Sequence, residues 1–561
     1  MQYGGIEKTL ALYIERSVKE VFTERALQSS LPSELKAEVE IPKDKTHGDL
    51  STNIAMRACK LAKMPPVELA GLLKAKLDGM LTLPELSGLL ERIEVKNPGF
   101  INFVLAKDFL SKVLLEIKRE KHNYGRASLG RGIKLQVEFV SANPTGPLTI
   151  AHGRQAAIGD SLSNILEFLG YDVTREYYLN DEGTQMNILG ASIRIRYQEL
   201  FGAAEPFPEN GYKGSYVSDI AKDFKKKYGK KHLKTTDIKV FREFGLRWIL
   251  SDIKIDLKEF GVKFDVWYSQ KSLRKSGKVE KAIALLKEKG HIFEQDGAVW
   301  FRSTAFGDDK DRVIIKSDGS LTYLTPDIAY HLEKYRRGFK RISDIWGPDH
   351  HGYIPRMKAA IKALGFPEDS LTVLIVQLAT LYKGGQVVSM STRAGEFVTL
   401  REVMDEVGKD VSRFCFLMRR ISSHLDFDLD LVKKQSSENP VYYIQYAHAR
   451  IWSILEYSKR AHIVTAKFDS KLLKEAEELD ILRALRQFPL IVSLSGRVQE
   501  PYIILQYLQD LATAFHSFYN KHRVVGDDVS LTKSRLVLVD CVRIVLANGL
   551  RLLGVSLPKK M

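Results

Sequence analysis

The sequence predicts an α/β protein with a mostly parallel, doubly wound sheet, a small α+β domain before it and an all-α domain after it. Three observations predict this. Strand-like apolar runs alternate with helical patterns between about residues 130 and 388. One of those runs, LQVEFV, enters a cluster of turn formers (Asn143, Pro144, Gly146, Pro147) and then a helix with His152 in its first turn. From about Pro440 the chain reads almost entirely as amphipathic helix, as in YYIQYAHARIWSILEYSKR.

Composition bounds the possibilities. The 561 residues are 44% apolar and 27% charged, a soluble globular mix long enough for three or four domains. A net charge of +16, from 85 basic and 69 acidic side chains, suits a polyanionic partner such as nucleic acid as well as it suits plain solubility. No apolar run reaches the ~20 residues of a membrane span; LTVLIVQLATLY is too short. The N-terminal MQYGGIEKTLALYIERSVKEVF has no signal-peptide core, and Cys59, Cys415 and Cys541 are odd in number and far apart. That usage fits a reducing compartment, excludes a close-spaced thiolate metal site and predicts a cytoplasmic protein without a membrane partner.

Four zones follow in order. Residues 1–107 open with an amphipathic helix (Ile6, Leu10, Tyr13, Val18, Val21) and close on alternating segments around RIEVKNPGFINFVLA, a small α+β domain. A basic connecting segment spans 108–130. Residues 130–388 carry the parallel sheet, with expected strands at 135–140, 173–178, 312–315 and 371–376, and an insertion at about 195–300. The insertion contains DFKKKYGKKHLK, either a phosphate-facing surface or a solvated helix face. Residues 389–439 hold a Gly-bearing loop, VVSMSTRAGEFVTLREV, and residues 440–561 form the helical domain.

Three constellations can carry chemistry. A helix N-terminus after a Gly/Pro-rich strand exit offers free N–H groups and positive dipole to a phosphate, and His152 in its first turn can donate to phosphate oxygens; a structural histidine is the bland alternative. In WGPDHHGYIPRMKAA, Gly347, Asp349, His350, His351 and Gly352 crowd a strand-to-helix turn. A carboxylate and glycines there suit a ribose hydroxyl and a close-packed adenine; adjacent histidines are poor joint ligands of one metal. SMSTRAG, residues 389–395, is a loop of small hydroxyl residues with Arg393 as its charge, suited to closing on a triphosphate.

Together these segments resemble the class I aminoacyl-tRNA synthetases, and among them the arginyl-tRNA synthetase family, over nearly the whole length. VEFVSANPTGPLTIAHGR is similar to the family's stretch ending in its HIGH signature; REYYLNDEGTQ, TYLTPDIAYH, WGPDHHGY, MSTRAGEFVTL, HLDFDLDL and NPVYYIQYAHAR follow in family order. The resemblance implies a Rossmann-like catalytic domain, an N-terminal domain that touches the tRNA elbow and a helical anticodon-binding domain. It implies ATP-dependent activation of L-arginine to arginyl-adenylate, with Mg²⁺ accompanying ATP, and transfer to the 3′ end of tRNA that accepts arginine. The first step in this family usually requires bound tRNA, and its members are commonly monomeric, so a monomer is expected.

The same resemblance places residues. ATP falls to Thr149, Ala151, His152, Gly347, Asp349, His350, His351, Gly352 and Met390, with Thr149, His152, Ser391 and Arg393 as the catalytic set. L-Arginine falls to Glu138, Ser141, Asn143, Tyr323 and Asp327, with Gln185 and Asn180 ranked lower. A carboxylate such as Asp327 matches the guanidinium fork, and a buried Tyr323 packing on its plane is expected. Tyr446, Arg450 and Met561 fall to tRNA; Tyr446 and Arg450 lie four apart and share a helix face. No protein-bound metal is implied.

The signatures depart from the family pattern. TIAH stands for HxGH, so Thr149 takes the first histidine's place and Ala151 the glycine's. SMSTR stands for KMSKR, leaving Ser389 and Thr392 uncharged where lysines are usual. The slot of a compensating lysine seen in some members is Gly146. Phosphate neutralisation then rests on Arg393, His152 and Mg²⁺, with Lys383 and Arg154 as further candidates. Two other readings stand beside this one: a sister class I synthetase such as the cysteine enzyme, and a non-catalytic tRNA-binding relative.

Overall fold

The computed structural model describes residues 5–27, 35–42, 44–203, 205–387, 398–433, 439–463, 465 and 467–561. The N-terminal α+β unit sets helices Gly5–Glu24, Ile54–Ala62 and Pro66–Met80 on an antiparallel sheet in which Phe100–Leu105 pairs with both Leu50–Thr52 and Leu90–Lys96. Ile6, Leu10, Val18 and Val21 are buried, as the spacing predicts.

The central sheet has five parallel strands: β1 (Lys134–Glu138), β2 (Asp172–Leu179), β3 (Val266–Ser269), β4 (Arg341–Trp346) and β5 (Leu371–Ile375). Their order is β5-β4-β1-β2-β3. From β1 the chain moves outward through β2 to β3, then returns to lay β4 on β1's other side. The order reverses between β1 and β4, and their carboxyl ends frame the crevice where such sheets take ligands.

Side-chain alternation covers both faces. Phe139, just past β1, faces α1 (Ile150–Phe168), where Gly159 lies against its ring. Glu138 faces the other way, toward α2 (Leu324–Arg336). α3 (Ile354–Leu364) follows β4.

The structure corrects three expectations about the sheet. Residues 312–315 form a strand, but in a separate antiparallel sheet with Ile292–Gln295 and Ala298–Phe301. The cause is local: Asp296 and Gly297 both have positive φ (51° and 72°), a two-residue turn that makes 292–301 a hairpin and offers its edge to Arg312–Ile315. The interval 195–300, expected to interrupt the sheet, also supplies its outermost strand, β3. β4 is not among the expected runs, because its polar Ser343 and Asp344 hide the apolar signal.

The helical domain comprises α4 (Pro440–Arg460), α5 (Ala476–Val498), α6 (Tyr502–Lys521) and α7 (Val529–Leu552). The connecting segment is itself a helix, Lys107–Glu120, packed on α5 and α7. Lys118 pairs with Asp540 at 2.7 Å, and the Tyr124 hydroxyl donates to the Leu485 carbonyl at 2.9 Å. Arg486 reaches Glu7 at 2.9 Å and Arg483 reaches Asp49 at 2.5 Å, so the helical domain also holds the N-terminal unit. Among the described residues no helix is long and apolar enough to cross a membrane.

The Gly159–Phe139 contact leaves no room for a methyl group. Gly159→Ala should lower unfolding stability by about 1–3 kcal/mol through overpacking, read as a drop in the urea midpoint; an unchanged midpoint would show that the helix is not seated this closely.

Candidate active site

The carboxyl end of β1 is strained. Val140 and Ser141 have φ of 68° and 39°, and the Ser141 N–H donates back to the Phe139 carbonyl at 2.9 Å across a three-residue turn. Positive φ is unusual for a β-branched residue and costs of order 1–3 kcal/mol. The turn re-aims the chain, so that the Ser141 hydroxyl donates to Glu138 Oε1 at 3.0 Å and accepts the Tyr178 N–H at 3.1 Å. Asn143 is exposed beyond it and donates to Gln185 Oε1 at 2.9 Å.

The turn then feeds α1, and here the departure TIAH acquires a physical reading. Thr149 is the N-cap, in extended conformation, and His152 closes a capping box with it. The Thr149 N–H donates to His152 Nδ1 at 3.1 Å. That bond puts the ring proton on Nε2, the nitrogen left for a ligand. Burial pushes the His152 imidazole down to about 4, so it is a neutral donor at ordinary pH. Thr149 is an orthodox N-cap residue, and its hydroxyl lies 3.1 Å from the same Nδ1 rather than free for a phosphate.

The segment after the signature loop is stitched to this cap: Thr149 bridges Thr399, and the Leu400 N–H donates to the Leu148 carbonyl at 2.8 Å. Met390, Ser391 and Arg393 of the loop, with Ser389 and Thr392, lie outside the described residues. Arg154 is not turned to the crevice. Its buried guanidinium donates to the carbonyls of Gln377, Leu378, Arg420 and Ser423 at 2.7–3.2 Å, bracing the chain where it enters two paired strands, Ala379–Lys383 and Leu425–Asp428, that precede and follow the loop in sequence. At Gly146, an added Cβ would meet the Tyr216 ring, whose hydroxyl bonds the Thr145 carbonyl at 2.7 Å.

From β4, Gly347 opens a short 3-10 turn, Pro348–Tyr353, that presents Asp349, His350, His351 and Gly352 to solvent. An added Cβ at Gly347 would crowd Asp349 Oδ1 and lie 3.8 Å from Gln155 of α1. The two motifs therefore face each other across the crevice. Among the described residues, no group of three or more His, Cys, Asp or Glu side chains could hold a metal ion.

Beneath the crevice lies a buried polar cluster missed in the sequence. Lys334, fully buried, donates to Glu138 Oε2 at 2.6 Å and to Asp344 Oδ1 at 2.8 Å. His331 Nε2 lies 2.8 Å from Asp344 Oδ2, and its Nδ1 lies 2.8 Å from the Asp327 carbonyl oxygen. Next to them Glu176 takes Arg337 at 2.6 and 2.8 Å and the Tyr330 hydroxyl at 2.6 Å. The readable signal was helical spacing: Asp327, Tyr330, His331 and Lys334 share one face of α2, and its C-cap Arg337 continues that face.

Asp327 itself accepts from the Tyr353 hydroxyl at 2.7 Å, and burial pushes its carboxyl up to about 6. Tyr323, expected to be buried, is instead 85% exposed just before α2. The structure thus brings Glu138, Ser141 and Asp327 around one buried cluster and leaves Asn143 and Tyr323 at its open edge.

Comparison with known proteins bears on this geometry. The chain matches the family models for the arginyl tRNA synthetase N terminal domain (residues 8–105), the tRNA synthetases class I (R) catalytic domain (114–416) and the DALR anticodon binding domain (444–561). An arginine–tRNA ligase of Geobacillus kaustophilus is 48% identical over 560 residues, 98% of this chain and 99% of the relative. This chain belongs to the arginyl-tRNA synthetase family. A second family member, the arginine–tRNA ligase of Bacillus subtilis, is 46% identical over 96% of both chains. The Thermus thermophilus arginyl-tRNA synthetase structure shares the fold, with a TM-score of 0.76 at 21% identity over 99% of this chain. Neither the cysteine-specific nor the non-catalytic reading is favoured by these matches.

On the family's helical domain, Tyr446 stacks between Tyr442 and His516, with ring centres at 6.0 and 5.8 Å. Arg450 lies 5.0 Å over the Tyr519 ring and bonds its hydroxyl at 3.1 Å. Arg450 borders an open cavity of about 570 Å³ with Tyr457, Tyr519, Asn520 and Arg523. Tyr457 was missed, although its spacing of seven from Arg450 puts it on the same helix face. The tail seats on the opposite face of α4: Gln445 Nε2 donates to the Ser556 carbonyl at 3.2 Å, and His448 Nδ1 to that of Pro558 at 2.9 Å. Met561, half exposed, follows that segment, and no described contact joins it to Tyr446 or Arg450.

Asp327 must be ionised to pair with a guanidinium. Its carboxyl is charged above about pH 6 and protonated below, so affinity for L-arginine should be full above about pH 7 and fall toward tenfold per unit below pH 6. Calorimetric titration between pH 5 and 8 reads this directly, and Asp327→Asn should bind weakly and lose that dependence; a flat profile in the unaltered protein would place the guanidinium elsewhere.

Proposed function

We propose that this protein is an arginine–tRNA ligase: it joins L-arginine to ATP and passes the arginyl group to tRNA. What supports the reading is the meeting, at one strand switch point, of a buried carboxylate cluster with the N-terminus of α1 and its His152 donor. Asp327, held by Tyr353, takes the guanidinium, and the exposed Tyr323 ring covers its outer face. Glu138 and Asn143 flank the substrate. The ATP phosphates lie at the N-terminus of α1, where the His152 Nε2–H donates to them, and Arg393 adds charge from the loop. The adenosine packs along Gly347–Gly352, where exposed Asp349 suits a ribose hydroxyl. Mg²⁺ enters with ATP as part of the substrate.

In the first step an arginine carboxylate oxygen attacks the α-phosphorus and the bond to the β-phosphate oxygen breaks, giving arginyl-adenylate and pyrophosphate. In the second, a hydroxyl of the tRNA's 3′-terminal adenosine attacks the carbonyl carbon, loses its proton and displaces AMP. The protein positions the groups and stabilises charge; no side chain forms a covalent intermediate. The anticodon loop binds at the cavity bordered by Arg450, Tyr457 and Tyr519, where aromatic rings stack unpaired bases beside positive charge. The Thr149–Thr399 bridge ties the cap of α1 to the segment after the signature loop.

Charging of a total tRNA pool with labelled arginine tests this: arginine is incorporated, whereas cysteine and citrulline are not. Restoring the usual signatures with Thr149→His and Thr392→Lys should change the rate by less than about tenfold, because the His152 Nε2–H and Arg393 already serve the phosphates. A large gain from near-zero activity would contradict the reading and mark TIAH and SMSTR as lost chemistry.

A further inference from the structure

Tyr353 joins two segments of the crevice that are distant in sequence. It ends the turn Pro348–Tyr353 and stands directly before α3. Its ring lies edge-on to Trp346 of β4, with centres 6.1 Å apart, and the Arg356 guanidinium sits 5.5 Å over its face. So held, its hydroxyl donates to Asp327 Oδ2 at 2.7 Å, in the first turn of α2. Burial and the charge of Asp327 push the phenol well above its ordinary range, so the proton it donates stays on the tyrosine. Asp327 itself is only partly buried, so its carboxylate is open to a ligand.

Resting on the reading that Asp327 meets the guanidinium, we infer that Tyr353 is a positioning residue that sets the choice of arginine over citrulline. By donating to Oδ2 it holds the Asp327 carboxylate in place and in its ionised form, and leaves Oδ1 and the remaining lone pair of Oδ2 to the guanidinium fork. The two amino acids differ at one group: citrulline has an uncharged urea, with an oxygen where arginine has an N–H donor. An ionised carboxylate can only accept, so it pairs with a guanidinium and leaves a urea oxygen without a partner. A protonated carboxyl can donate to that oxygen and loses its charge attraction for arginine. A site that leaves a substrate's polar group unpaired rejects it strongly. The proton on Asp327 therefore decides which amino acid the site prefers.

Several groups act on that proton. Burial favours it, and so does the charge of Glu138 on β1; the Tyr353 hydroxyl opposes it, as do His331 of α2 and His350 of the turn. Tyr178 of β2 also faces the carboxyl. Among the described residues only Tyr353 bonds the carboxylate oxygens. The Tyr178 hydroxyl goes to Gln270 at 3.3 Å, and His331 Nδ1 lies 2.8 Å from the Asp327 main-chain carbonyl oxygen. Arg356 touches the ring of Tyr353 and not Asp327.

The test is calorimetric titration with arginine, and with citrulline in competition against it, from pH 5 to 8.5. In the unaltered protein the acid limb of arginine binding should lie near the Asp327 carboxyl, about 6. Tyr353→Phe should move that limb upward by about one unit, because it removes a donor that favours the ionised form. At pH 7 it should weaken arginine about twofold or more and cut the arginine-over-citrulline ratio about tenfold, with arginine affinity returning above pH 8. Tyr353→Leu serves where Tyr353→Phe does not fold. Tyr178→Phe, which removes a hydroxyl from the same pocket without touching Asp327, should leave the limb in place. A merely structural tyrosine would weaken arginine equally at every pH, so an unmoved limb with an unchanged ratio in the Tyr353 variants overturns the inference while the arginine site stands. An equal shift in Tyr178→Phe overturns it too, by assigning the effect to the pocket's general polarity. An unaltered protein that does not bind arginine overturns the underlying reading instead.

Discussion

The bond from Lys334 to both Glu138 and Asp344 is the constraint on which the site depends. β1 and β4 must be neighbours for their carboxyl ends to form the crevice, yet on the face toward α2 they place two carboxylates side by side, with Glu176 next in line on β2. Buried without partners, three such groups would destabilise the sheet or take up protons. α2 answers with Lys334, His331 and Tyr330 on one face and Arg337 at its C-cap. Pinning α2 there fixes its N-terminal turn, which carries Asp327, and leaves Tyr323 at the mouth. The same ion pairs that permit the strand order therefore place the residues proposed to hold arginine.

A second set of buried arginines ties the site to the rest of the chain. Arg413, fully buried, reaches Asp160 of α1 at 2.6 Å, the Phe260 carbonyl at 3.2 Å and the Leu553 carbonyl at 3.1 Å beyond α7. Gly496 of α5 packs against Leu169 at the far end of α1. α1 thus runs from His152 in the crevice to the helical domain. Arg154, one turn into it, holds through four backbone carbonyls the chain where it enters the strands that precede and follow the signature loop in sequence. A helix clamped at both ends is a rigid connection between the crevice and the helical domain.

Much of this was legible in the sequence because it rests on local chemistry. Turn formers after LQVEFV, the helix that follows, and the amphipathic run from Pro440 are read from spacing alone. Glu138, Ser141 and Asp327 converge around the buried cluster. What escaped depends on partners distant in sequence. The strand at 312–315 has the right pattern, but the hairpin ahead of it decides which sheet it joins. β4 is masked by Asp344, which serves the buried cluster, and by Ser343, whose hydroxyl donates to Gln499 Oε1 just past α5 at 3.1 Å. Lys334 carries no signal of its own until the fold buries it, Arg154 read as a candidate for the phosphates until its guanidinium met four backbone carbonyls, and Thr149 read as a phosphate donor until the capping box gave its hydroxyl another partner.

The central claim is that the β1–β4 crevice activates arginine. Arginine-dependent exchange of pyrophosphate into ATP, measured with and without tRNA that accepts arginine, tests it most directly. The account predicts exchange that requires arginine, ATP and tRNA together and disappears in Asp327→Asn. No exchange under any of these conditions, with tRNA binding intact, would contradict it and leave a chain that keeps the family's fold and its hold on RNA without its chemistry.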